Sequence, residues 1–402
     1  MKRVYLDNAA TTPIDKDVLA EIVRVYESFY GNPSSLHSFG QEARKIVEES
    51  RSTLAKILHA KSDEIIFTGS GSEADNLAIK GVALKNRKRG KHLITSSIEH
   101  SAIKNTMEYL QKHRGFEVTF LPVDKYGLVK SQNLEEAIRP DTTLVSIMYA
   151  NNEIGTIQSI SELGKICKEH DVIFHTDAVQ AFCKVPIDVQ IENIDLLSAA
   201  AHKIYGPKGI GFLYVKNQGR RPKWGKIIEP LIHGGGHEFG LRSGTENAPN
   251  IAGFAKAATL LLQNLESEMK REIALRDKII NWLLDHIEDS FLNGHPTQRL
   301  PNNVNVGIKY IEGESILLGL DLEGIAVSTG SACSTKSLEP SHVLLAIGLP
   351  PDLAYGSLRV TLGKFTTEED VDYFLEKIGP VITRLRAISP LKKTVKYEVQ
   401  PN

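Results

Sequence analysis

Val172-Ile173-Phe174-His175-Thr176-Asp177 is a short apolar run that ends in an acid. Leu196-Leu197-Ser198 is a second such run, and it leads into Ala201-His202-Lys203-Ile204-Tyr205-Gly206-Pro207-Lys208-Gly209. The first reads as a buried strand with Asp177 at its carboxyl end, where α/β sheets hold their ligand-binding groups. The second reads as a strand that delivers a lysine to the mouth of a Gly/Pro loop. Taken alone, Asp177 is an ordinary helix N-cap before Ala178-Val179-Gln180. Taken with Lys203, 26 residues on, it becomes an acid and an amine at neighbouring strand ends.

The same alternation of strand and helix patterns extends outward from this stretch. Strands are expected at Glu64 to Thr68, His92 to Ser96, Glu117 to Pro122, Thr143 to Ala150, Val172 to Asp177, Leu196 to Ser198 and Gly211 to Val215. Short β-rich runs separated by helical segments predict an α/β fold with a mainly parallel, seven-stranded sheet. A helix is expected from Ser161 to His170, capped by a serine, with Cys167 on its apolar side as plain packing. From Thr259 the apolar residues Leu261, Leu265, Met269, Ile273, Ile280, Leu284 and Ile287 recur at near-helical spacing, which predicts one long amphipathic helix. It leads into a smaller α/β domain with strands near Asn303 to Ile308 and Ser357 to Thr361 and a helix capped at Thr366-Thr367-Glu368-Glu369. The expected division is a large domain over residues 15–258 and a small one from 1–14 and 259–402. The tail after Leu391 is polar and is expected to be mobile.

Composition narrows the functional classes. In 402 residues, 48 Lys and Arg balance 49 Asp and Glu, which argues against a nucleic-acid surface. The basic runs Lys85 to Lys91 and Arg220 to Lys226 read as solvated segments. Three cysteines, at 167, 183 and 333, form neither a disulfide framework nor a metal-type spacing. No apolar signal region opens the chain, and no apolar run approaches the roughly 18 residues of a membrane span. A cytoplasmic, membrane-free protein is the default expectation.

A strand-end acid followed by a lysine suits pyridoxal phosphate. The lysine condenses with the aldehyde, and the carboxylate pairs with the ring nitrogen and keeps it protonated. Ile65-Ile66-Phe67-Thr68 followed by Gly69-Ser70-Gly71-Ser72-Glu73 is a strand, a Gly-rich turn and a helix start, a ready anion site for the phosphate. By itself that turn is equally an ordinary cap. Glu99-His100 follows one strand, and an imidazole there would stack on the ring or move protons. Asn151-Asn152-Glu153-Ile154-Gly155 follows another, with amides for the ring oxygen and a substrate carboxylate. Arg359, inside the apolar run Leu358-Arg359-Val360, requires a carboxylate partner if buried. His233-Gly234-Gly235-Gly236-His237-Glu238 reads as a flexible loop leading to Arg242-Ser243-Gly244-Thr245, a further phosphate contact, and not as a zinc or hydrolase motif. Finally, Ser328-Thr329-Gly330-Ser331-Ala332-Cys333-Ser334 puts a lone cysteine among small residues, a context that suits an exposed nucleophile.

With these motifs the chain resembles the cysteine desulfurases of the NifS/IscS type, which are fold type I pyridoxal-phosphate enzymes. The resemblance runs from Tyr5-Leu6-Asp7-Asn8-Ala9-Ala10-Thr11-Thr12-Pro13 to about Ser389-Pro390-Leu391 and includes Gly31-Asn32-Pro33-Ser34-Ser35. It implies that Lys203 carries pyridoxal 5′-phosphate, with Asp177 at the ring nitrogen, Gln180 at the phenolic oxygen and His100 over the ring. Gly71, Ser72, His202 and Thr245 would serve the phosphate, Thr245 from the partner subunit of a homodimer. Asn152 and Arg359 would hold the carboxylate of L-cysteine, and Cys333, on an extended mobile loop over about 328–344, would take its sulfur as a persulfide and leave L-alanine. An iron–sulfur scaffold or another sulfur acceptor is the implied partner. Selenocysteine lysis, transamination and a non-catalytic assembly platform are the alternatives. One position departs from the pattern: Ala200 stands where the family usually has a serine that donates to the phosphate. Ser72 stands where threonine is common.

Overall fold

A computed structural model describes residues 2–221, 225–329 and 340–390. Its frame is a sheet of strands β1 (Ile65–Thr68), β2 (His92–Ser96), β3 (Glu117–Leu121), β4 (Thr142–Ser146), β5 (Ile173–Asp177), β6 (Leu196–Ala200) and β7 (Gly211–Val215). Their spatial order is β1-β7-β6-β5-β4-β2-β3. The pairs from β6 to β3 run parallel, and β7 is antiparallel to both β6 and β1. The central strands are buried on both faces, which is why they read as continuous apolar runs instead of alternating ones. One face packs residues such as Phe182, Phe212 and Phe254, whose rings contact one another at centroid distances of 5.3 to 6.0 Å. The other face packs under the helices Gly71–Asn86 and Ser101–Arg114.

A second apolar core gathers Val4, Leu6, Ile279, Leu283, Val304, Val360 and Phe374. It lies on the sheet of β8 (Ser290–Leu292), β9 (Asn303–Ile308) and β10 (Ser357–Thr361), all antiparallel. The helix Glu368–Ile388 covers it and opens with a capping box between Thr367 and Asp370. The first residues join this core from a distance, because Val4 and Tyr5 pair with Ile325 and Ala326.

The structure corrects three local expectations. The single helix from Thr259 is two helices, Ala248–Leu262 and Leu265–His286, separated at Gln263 and Asn264. Leu261 and Met269 pack on the large-sheet core, whereas Leu275, Ile279 and Leu283 belong to the second core. The apolar stripe changes its target within the second helix, after Met269, and its periodicity alone does not register that change. The fourth strand ends at Ser146, although Ile147 and Tyr149 still donate backbone N–H groups to the carbonyls of His175 and Asp177. The helix expected from Ser161 spans Ile160–Glu169, with Ser159 at the N-cap, and Cys167 is fully buried in the core.

Candidate active site at the carboxyl ends of the central strands

Strands β5 and β6 and the loops after β2 and β4 converge on a cavity of about 310 Å³. Its lining includes Gly71, Ser72, His100, Asn152, Asp177, Gln180, Ala200, His202, Lys203 and Arg359. Ten residues singled out in the sequence, or their departures, therefore meet in one place, at the strand ends where parallel sheets offer converging loops. Thr245 does not line this cavity; it is exposed, at another of about 220 Å³ with Gly69, Glu238 and Arg242. Cys333 lies outside the described residues, as does the tail after Pro390.

The anion-site end is built from backbone. Ser70 caps the helix Gly71–Asn86 by accepting from the N–H of Glu73, and this leaves the first turn pointing into the cavity. Gly71 is required there, since a Cβ would stand 2.7 Å from Val179 Cγ2 and 3.4 Å from the Ala200 methyl. Ala200 is buried and offers no hydroxyl.

The opposite end carries the charge. Asp177 is 6% exposed and its Oδ1 accepts from the N–H of Val179 at 2.9 Å, a turn and not the start of a helix. Burial raises its carboxyl above the usual range, against the opposing pull of His100, the Val179 N–H and Lys203. Asp75 lies beside it, and ligand-type atoms of Asp75, His100 and Asp177 all fall within 4.8 Å of one another. Burial first, and the Asp177 charge second, push the Asp75 carboxyl well above the usual range, and among the described residues its Oδ1 has no hydrogen-bond partner. Behind both, His175 bonds Ser146 at 2.9 Å and Ser198 at 3.0 Å and is kept neutral by burial. Asp75 escaped the sequence reading. Its signal is an acid on the buried side of the helix after the Gly turn, between Ala74 and Ala78.

Lys203 follows β6 on a single 3₁₀ turn and donates to the carbonyls of Ala9 and Ala10, both at 2.7 Å. His202 bonds Thr11 Oγ1 at 3.2 Å, and burial with the charge of Lys203 lowers its pKa to about 4. His100 caps the helix Ser101–Arg114 by accepting the Ala102 N–H on Nδ1 at 3.1 Å, which fixes the ring plane at the cavity edge.

Arg359 has the carboxylate partner its burial demanded: Nη2 donates to Asp7 at 3.0 Å, while Nη1 donates to the Asn152 carbonyl at 3.0 Å. Among the described residues its Nε has no hydrogen-bond partner. Of the two expected amides only Asn152 lines the cavity. Asn151 is fully buried and spends its side chain on the turn, accepting from Glu153 and Ile154 and donating to the Ile98 carbonyl. Both flanks of the cysteine segment rest on this region. Ser328 and Arg359 exchange backbone hydrogen bonds, Ser341 donates to Glu153 at 2.5 Å, and His342 bonds the Glu99 carbonyl at 2.9 Å. The glycine-rich run before Arg242 is firmly held at its end. Glu238 accepts from Arg51 through both oxygens, at 2.7 and 2.8 Å, and from the Phe67 N–H.

Comparison with known proteins gives the family. The model of the aminotransferase class-V family matches residues 4–374. A cysteine desulfurase IscS of Dictyoglomus turgidum is 52% identical over 394 residues, 98% of each chain. Another, of Methanosarcina thermophila, is 52% identical over 97% of this chain and 94% of its own. Among solved structures, a NifS-like protein superposes with a TM-score of 0.88 at 40% identity, over 96% of this chain and all of its own. SspA in complex with cysteine gives 0.78 at 40% identity, over 90% and 100%. With one cavity collecting the motif residues and near-complete coverage of its relatives, this chain belongs to the aminotransferase class-V family and, within it, to the cysteine desulfurases.

Proposed function

We propose that the chain converts L-cysteine to L-alanine and passes the sulfur to Cys333 as a persulfide, supplying iron–sulfur cluster assembly. The observation that carries this is the single cavity holding a buried acid, an amine, a helix N-terminus and a buried arginine. The cofactor is pyridoxal 5′-phosphate, and the residues present fit it. The missing Cβ of Gly71 leaves a cradle for a phosphate, Asp177 is a buried carboxylate, and Lys203 Nζ reaches the same space. When bound, the cofactor supplies an aldehyde for amino groups and a protonated ring that withdraws electrons from Cα.

The chain's own residues then divide the work. Asp177 would hold the ring-nitrogen proton, with the raised carboxyl of Asp75 beside it. Gly71, Ser72 and His202 would hold the phosphate, His202 as a neutral ring, and His100 would face the cofactor ring. Lys203 would hold the aldehyde, and its Nζ as a free amine would take the Cα proton. Asn152 and Arg359 orient the substrate carboxylate. The Cys333 thiolate forms an S–S bond as the substrate Cβ–S bond breaks. The electron pair goes to Cβ, which gains a proton to become the methyl group of alanine.

The active unit in this reading is a cytoplasmic homodimer that hands sulfur to a scaffold protein. The exposed Thr245 lies away from its own chain's cavity, which supports this reading. Among the described residues no helix is long and apolar enough to cross a membrane. Alanine released from L-cysteine by the loaded protein, beside Cys333→Ala, tests the reaction. Alanine from the wild type alone is the expected result. Equal release from both removes Cys333 from the mechanism, and turnover of selenocysteine without cysteine would reassign the substrate.

A further inference from the structure

Gln180 is held at both ends. Lys184 Nζ donates to its Oε1 at 3.2 Å, and its Nε2 donates to the Ala9 carbonyl at 2.9 Å. The same carbonyl accepts from Lys203 at 2.7 Å, so a hydrogen-bonded chain runs from Lys184 through Gln180 and Ala9 to Lys203. An ammonium group has donors only and a carbonyl oxygen accepts only, so these two neighbours dictate which way the amide faces. Its oxygen points away from the site toward Lys184, and its N–H groups point inward.

Lys184 is itself built in. It ends the tight turn after β5, with its N–H on the Ala181 carbonyl, and it lines a cavity of about 20 Å³ with Glu268, Glu272, Asn8 and Tyr205. Glu272 comes from the helix Leu265–His286 and is 7% exposed. The charged and titratable groups around Lys184 include Glu272, Lys203, Arg359 and Cys183, with Glu268, Tyr205 and Lys364 in the same cavity and His202 nearby. Burial lowers its pKa to about 8, with the Glu272 charge opposing, and this leaves it an ammonium at neutral pH.

We propose that Lys184 is a positioning residue of the desulfurase reaction, fixing the Gln180 amide so that its N–H side faces the phenolic oxygen of the cofactor. The proposal rests on the reading that Gln180 serves that oxygen. A donor there competes for the oxygen with the proton on the nitrogen that links Lys203 to the cofactor, and so lowers that nitrogen's affinity for its proton. Without Lys184 the amide keeps only the Ala9 carbonyl as an anchor and turns its own oxygen inward more often, and the nitrogen keeps its proton to higher pH.

The test is the pH titration of the visible absorbance of the holoenzyme, in wild type, Lys184→Met, Lys184→Arg, Gln180→Ala and the double variant Lys184→Met with Gln180→Ala. Lys184→Met is expected to raise the midpoint by about one pH unit, or about 1.4 kcal/mol. Lys184→Arg, which keeps a donor, restores it. Gln180→Ala also raises it, and in that background Lys184→Met adds nothing, because the two act through one amide. If Gln180→Ala shifts the midpoint and Lys184→Met does not, the proposal fails while the site reading stands. An equal further shift in the double variant means that Lys184 acts by charge alone, and also overturns the proposal. If neither variant shifts it, the reading of Gln180 fails and takes the proposal with it. Should Lys184→Met not take up cofactor, Lys184→Gln replaces it and is expected to stay near the wild-type midpoint through its own amide donor; a shift as large as that of Gln180→Ala overturns the proposal.

Discussion

Replacing Ala200 by serine should tighten cofactor binding. Ala200 closes β6, three residues before Lys203, and its methyl lies 3.4 Å from where a Cβ on Gly71 would stand. Because Gly71 has none, the space between the strand end and the helix N-terminus has room for one added oxygen. That oxygen would face the group held at the helix start, which in the proposed reading is the phosphate. A hydrogen bond to a charged partner contributes about 1.5–3 kcal/mol, and fixing the hydroxyl rotamer and stripping its water reduce the gain toward the lower figure. Since about 1.4 kcal/mol is a factor of ten, the dissociation constant should fall about tenfold. The assay is titration of the cofactor-free protein with pyridoxal 5′-phosphate, with the rate of cofactor loss on dialysis as a second reading. The reasoning is refuted if Ala200→Ser binds no tighter than the wild type, for then the phosphate does not lie against that strand end.

Two further outcomes can be checked. Glu99 accepts from Ser96 and Met148 but is fully buried, and burial raises its pKa to about 8 from an ordinary 4.5. A raised acid stabilises the fold fully below its unfolded value and loses that contribution as pH rises through the folded one, with a slope of at most about 1.4 kcal/mol per pH unit. Glu153, at about 7, acts in the same direction. The lowered histidines, His175 and His202, destabilise only as pH falls below about 6.5, outside this window. The melting temperature of Glu99→Gln should therefore decline less between pH 6.5 and 8 than that of the wild type, and an equal decline would show that Glu99 is already ionised. Light scattering of the holoenzyme should return twice the chain mass. A monomer that retains full activity would leave Thr245 with no role at a partner's site.

Much of the molecule was legible before any coordinates. Strand patterns located the seven-stranded sheet to within a residue or two at most ends, because buried parallel strands must be apolar on both faces. Strand-end residues such as Asp177 and Lys203 were legible for the same reason, since the sheet itself carries them to one edge. Residues whose role depends on contacts distant in sequence were not. The separation of two helices at Gln263 and Asn264, and the change of core after Met269, leave the apolar period unbroken. Asn151 and Asn152 are alike as residues, and only the turn they form sends one inward to the backbone and the other to the cavity.

The sequence by itself determined the strand and helix inventory, the acid and amine at strand ends, the glycine turn and the family, because each of these is encoded in short runs or fixed motifs. Tertiary structure alone decided that Asp7 pairs with Arg359, that Asp75 stands beside Asp177, and that Lys184 orients Gln180. The partners of the first two pairs are each more than a hundred residues apart. The third depends on a tight turn and on Glu272 from a remote helix, and such contacts exist only once the chain has closed on itself.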